Sequence, residues 1–178
     1  MNTKLQHLTL TGLTGLTALG ATAAQAADVQ LKIELPRINV AEYHKPYVAV
    51  WLEKSGDTTQ AAAQLALWYD TKKPNNGGAK WLRDMRSWWR AGGRALSLPA
   101  DGVSGATRAP GEHAISLGGH PALANLPAGQ YEVVVEVGRE AGGRELRRIP
   151  LSWPVKAAGE TKIQGDDEIG ALVLSVKP

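Results

Sequence analysis

Alternation of apolar and polar side chains is the feature that most limits what this chain can fold into. Val29, Leu31, Ile33 and Leu35 alternate with Gln30, Lys32 and Glu34 until Pro36 ends the run. A repeat of two puts every second side chain on one face, which is the signature of a half-buried strand. Further strands are expected at Tyr47–Glu53 (YVAVWLE), between Pro46 and the Ser55-Gly56-Asp57 turn, and at Gln64–Tyr69 (QLALWY). Tyr131–Val137 and Glu145–Trp153 read as a hairpin around Ala141-Gly142-Gly143, and Ala171–Val176 as the last strand. Ala114–Leu117 adds a short one. Six or seven strands separated by turn signals predict a mainly β, antiparallel, immunoglobulin-like sandwich.

One segment breaks the rhythm. Trp81, Leu82, Met85, Trp88 and Trp89 recur at the spacing of one helical face, with Arg83, Asp84, Arg86 and Arg90 opposite. Gly92-Gly93 supplies a stop and Pro74–Gly78 a loop before it, so one inserted helix is expected around 81–92.

The chain begins with Lys4, a dilute apolar run from Leu8 to Leu19, and Ala24-Gln25-Ala26. These are the parts of a secretory signal peptide cleaved near Ala26. The expected division is therefore a leader, 1–26, and one exported, periplasmic domain, 27–178. The apolar run is too short to span a bilayer, and no transmembrane segment is expected in the mature chain. Lys4 is the leader's only charged residue, which leaves 19 basic and 17 acidic side chains. That balance is too even to imply nucleic acid or an anionic membrane as partner. There is no cysteine, hence no disulfide, thiolate metal site or cysteine nucleophile.

Between Pro99 and Pro110 lies Asp101-Gly102-Val103-Ser104-Gly105-Ala106-Thr107, or DGVSGAT. Its small side chains and flanking prolines predict an exposed loop whose backbone another protein can approach closely. The stretch resembles the acceptor motif for covalent flavinylation, Asp-x-x-Ser/Thr-Gly/Ala-Ala-Thr, of sodium-pumping quinone reductases and Rnf-type complexes. There a FAD:protein FMN transferase moves FMN from FAD onto the final threonine as a phosphoester. The resemblance implies Thr107 as the covalent FMN site, with Asp101, Ser104, Gly105 and Ala106 as motif residues. A threonine hydroxyl without an adjacent base is a poor nucleophile, so the chain reads as a recipient and not as a catalyst. Asp101 is assigned to transferase recognition or to an Asx-type turn. Arg108 is placed to offset the phosphate charge.

Other chemistry is thinner. Ser104 lies outside any G-x-S-x-G elbow, so no catalytic residue is assigned. His113, six residues past Thr107, is a candidate neighbour of the flavin. His44, His113 and His120 show no HxH or HxxxH spacing, and no metal site is expected. Trp88 or Trp89 either packs in the core or against the isoalloxazine ring. Tyr43, His44, Lys45 and Tyr47 form either a polar rim at one end of the sandwich or a solvated turn.

Over nearly all of the mature sequence the chain resembles DUF2271, a bacterial family of periplasmic proteins. The stretches that carry this are RINVAEYHKPYVAVWLE, LALWYD, KWLRDMRSWWR, DGVSGATRAPGEH, AGQYEVVVEVGRE and DEIGALVLSVKP. Some relatives are labelled flagellar hook-cap-like, which implies a sandwich of the fibronectin type III kind. Ile115-Ser116-Leu117-Gly118-Gly119 departs from the family in lacking a tryptophan, so no ring-stacking role is carried over to it. The family's company implies two partners, a FAD:protein FMN transferase and a PepSY-type membrane flavoreductase. The expected function is a periplasmic flavoprotein that relays electrons. The alternative is a non-redox binding or assembly module with the same fold.

Overall fold

The second strand organises the architecture because it is buried on both faces. The computed structural model describes residues 27–178, so the expected leader, 1–26, lies outside the described residues. In β2 (Tyr47–Lys54) every residue but Lys54 is buried. Val48, Val50 and Leu52 face the main core, whereas Tyr47, Ala49 and Trp51 join a second apolar cluster on the opposite side.

β2 is the centre of a five-stranded sheet ordered β4 (Ser104–Ala106), β3 (Asp57–Tyr69), β2, β6 (Gly129–Gly138), β7 (Arg144–Trp153). A four-stranded sheet ordered β5 (Gly111–Ser116), β1 (Asp28–Leu35), β9 (Ala171–Lys177), β8 (Gly159–Gln164) packs against it. Val29, Leu31, Ile33 and Leu35 of β1 all enter the core between the sheets, as their alternation requires. The chain is thus a mainly β, two-sheet sandwich. No helix among the described residues is long and apolar enough to cross a membrane.

Two strands escape the sequence pattern. β8 is an edge strand with only Thr161, Ile163 and no other side chain even half-buried, so its alternation is faint. β4 consists of Ser104, Gly105 and Ala106, taken from the stretch read as loop, and it runs parallel to β3. Backbone pairing with Leu67, Trp68 and Tyr69 makes it a strand, and small side chains give no period to read.

The expected single helix at 81–92 is broken in two. 3₁₀ turns run through Pro74–Asp84, broken by the left-handed Asn75 and Asn76 (φ 55° and 53°), and Met85, with φ −77° and ψ 74°, interrupts the backbone before α1 (Arg86–Arg90). A second 3₁₀ turn, Gly93–Ala95, follows. This insertion roofs the outer face of the five-stranded sheet, burying Leu82, Met85, Trp88 and Ala91 on the second cluster. The Glu136 carboxylate, on β6 and fully buried, accepts the Ser87 and Trp88 backbone N–H groups at 3.3 and 2.7 Å. It satisfies amides that the first turn of any helix leaves without partners. The sheet therefore supplies the anchor that no side chain of the insertion provides.

Among the described residues four glutamates are buried, and each has an arginine. Glu53 takes Arg148, Glu136 takes Arg144, Glu145 takes Arg147 and Glu168 takes Arg139. Glu145 also accepts the backbone N–H groups of Asp166, Asp167, Glu168 and Ile169, closing the β8–β9 connection. Burial alone raises its carboxyl affinity for protons, but these four donors outweigh it and hold the group below its ordinary value.

Candidate functional site

Thr107 is the first residue beyond β4, and its position follows from how that strand is attached. The turn before it uses Gly102 at φ 69°, a region that side chains disfavour, and Ser104 Oγ accepts the Ala100 N–H at 2.9 Å. Ser104 and Gly105 are half-buried and Ala106 is exposed. A Cβ at Gly105 would stand 3.3 Å from Trp68 Cδ1, so the small residue lets the strand lie flat against that ring. The Thr107 N–H then donates to the Tyr69 carbonyl at 3.2 Å. Its side chain is half-buried.

Beyond Thr107 the surface opens into a cleft of about 420 Å³ at one end of the sandwich. Four chain segments meet there: the end of β4, the end of β3, the approach to β2 and the β6–β7 turn. Tyr43, His44, Lys45 and Tyr47 all line it. Asp70, Lys72, Lys73 and Glu140 complete its polar wall. Lys73 Nζ lies 3.6 Å from Glu140 Oε2. Lys45 and Lys72, both exposed, have no ion-pair partner among the described residues, and three lysines against Asp70 and Glu140 leave the lining one net positive charge.

Tyr47 sits at the base of this cleft. Burial, followed by the Glu140 and Asp70 carboxylates, pushes its phenol up to about 12. A phenol pushed above its ordinary value in the fold means that the neutral form is favoured there. The corresponding stability is complete below pH 10, the ordinary tyrosine value, and is lost as pH rises toward about 12. Urea unfolding between pH 9 and pH 11 is expected to show this decline, and Tyr47→Phe to flatten it. A variant as alkali-sensitive as the parent would show that another group is responsible.

The other residues singled out by sequence lie elsewhere. Asp101 is exposed and makes no side-chain hydrogen bond or ion pair among the described residues. The local side-chain contact that shapes the turn belongs to Ser104 instead. Arg108 lies over the Trp68 ring at 5.3 Å, and His113 meets the same ring edge-on at 5.8 Å. His113 Nε2 also lies 2.7 Å from the Ala109 carbonyl oxygen. Neither lines the cleft. Trp88 is fully buried, with its indole N–H on Gln64 Oε1 at 2.8 Å, and Trp89 packs at the edge of the second cluster. His120 is remote, at the start of α2 (Pro121–Ala124), where Nδ1 accepts the Ala122 N–H.

Sequence reasoning did not join Asp70, Lys72, Lys73 and Glu140 to Thr107. The one available signal is that LALWYD contains Leu67–Tyr69, the residues β4 pairs with, and a three-residue strand of small residues does not announce a partner.

No curated protein and no solved structure matches the chain. A family model described as a predicted periplasmic protein does match, over residues 28–171, from the first residue of β1 to the start of β9. The two-sheet sandwich and the threonine cleft both fall within those residues, and the chain belongs to this family, DUF2271, of periplasmic proteins.

Proposed function

We propose that this periplasmic domain carries FMN as a phosphoester on Thr107 and serves as an electron carrier. The observation that supports it is the placement of Thr107, half-buried at the mouth of an open cleft that also presents Lys45 and Lys72. The transferase must reach the hydroxyl, and a phosphate must afterwards have compensating charge beside it. Thr107, Lys45 and Lys72 line the same cleft, whose volume lies within the range of small-molecule and cofactor sites.

In the transfer, the Thr107 oxygen forms a bond to the FMN phosphorus of FAD and the pyrophosphate bond breaks. AMP leaves, and the hydroxyl proton passes to the transferase. Bound FMN supplies one- and two-electron chemistry, while this chain provides attachment, orientation and a surface for docking. Its redox partner in this reading is a PepSY-type membrane flavoreductase.

The test is to purify the protein from the periplasm of cells that also make the FAD:protein FMN transferase. Yellow protein with the FMN mass on the tryptic peptide 95–108 is the expected result. Colourless protein with that peptide unmodified, while a known acceptor in the same cells is flavinylated, overturns the reading.

A further inference from the structure

The helical insertion carries a charge imbalance that the nearly neutral mature chain conceals. Between Lys80 and Arg94 stand Lys80, Arg83, Arg86, Arg90 and Arg94, all exposed, against the single carboxylate of Asp84. The rest of the mature chain has 14 basic and 16 acidic side chains, so the excess positive charge belongs to this one element. The arginines of β6–β7 and their turn are neutralised by buried glutamates, but none of these five cations has an ion-pair partner among the described residues. Arg83 and Arg90 turn their Nε donors only to backbone carbonyls of the insertion itself.

Packing puts these charges on one side of the molecule. Leu82, Met85, Trp88 and Ala91 point into the sheet, which leaves the polar positions on the outer surface of the roof. Trp81 and Trp89 are half-buried along it, and Lys80 lies over the Trp81 ring at 4.8 Å. An exposed run of arginines is suited to lipid headgroups, because guanidinium groups pair with phosphate. A protein partner would also need matching shape, whereas mobile headgroups adjust to the arginines.

We infer that the 80–94 face docks the protein on an anionic phospholipid surface, with the sandwich held away from it. Lys72 and Lys73, just ahead of the insertion, line the Thr107 cleft, so docking leaves that cleft beside the membrane. The attraction is electrostatic and is screened by salt. It does not depend on whether Thr107 is modified.

Co-sedimentation of the mature protein with vesicles tests it. Binding is expected to vesicles of phosphatidylglycerol mixed with phosphatidylcholine, not to phosphatidylcholine alone, and to fall steeply as sodium chloride rises. The combined variant Arg83→Gln, Arg86→Gln, Arg90→Gln, Arg94→Gln removes four charges and is expected to bind about a thousandfold more weakly. Its thermal unfolding should match the parent's, since all four side chains are exposed. Lys162→Gln with Lys177→Gln, on the four-stranded sheet, should leave binding unchanged. Equal binding to both lipids, or equal binding by the arginine variant and the parent, overturns the proposal and leaves an acidic protein surface as the rival occupant.

Discussion

Thr107→Val is expected to give colourless, fully folded protein under the conditions in which the parent becomes yellow. The substitution keeps the shape of the side chain and removes only the hydroxyl. The backbone N–H that donates to the Tyr69 carbonyl is untouched, and the side chain is half-buried at the cleft mouth. Stability should therefore change by no more than about 0.5 kcal/mol, while attachment falls from near complete to none. Ser104→Ala is the necessary companion, because both hydroxyls fall within the tryptic peptide 95–108. Ser104 Oγ holds the Ala100 amide, so its loss loosens the turn, but the FMN mass should remain. Fragmentation of that peptide locates the modified oxygen directly. Flavin retained in the valine variant, or lost in the alanine variant alone, would move the site away from Thr107.

Glu136→Ala is expected to be strongly destabilising for a change outside the apolar core. The carboxylate is fully buried and receives the Ser87 and Trp88 amides together with the Arg144 guanidinium. Truncation removes all three interactions and strands the Trp88 N–H beneath the roof. Breaking a buried charge-assisted arrangement of this kind costs about 3 kcal/mol. For a domain of this size that corresponds to a fall of roughly 10 °C in Tm. Arg144→Gln should cost much less, because its side chain is 41% exposed and water replaces the lost contact. If the two variants proved equally mild, the anchor of the insertion would lie in apolar packing on Leu82, Met85 and Trp88.

The two experiments probe different layers. Thr107 tests the chemistry of a site whose loss leaves the fold standing. Glu136 tests what holds the insertion, and hence the arginine face, against the sheet. Loosening that roof should weaken vesicle binding as well, since the cations act together only while the element is rigid.

Several features were legible in the chain as written. Alternation identified β1, which buries every second side chain, while apolar runs bounded by turn residues marked β2, β6, β7 and β9. The spacing of Leu82, Met85 and Trp88 likewise marked the insertion as one-sided, and DGVSGAT stood out as a word. What only the tertiary structure decided depends on partners distant in sequence. β4 is a strand because β3 accepts its backbone, and the helix breaks at Met85 while Glu136, dozens of residues later, supplies its first acceptors. Lys45, Lys72, Glu140 and Thr107 share a cleft only because four segments end at the same edge of the sandwich. The even net charge divides into paired and unpaired arginines for the same reason: burial chooses which carboxylates are within reach, and the order of residues alone does not.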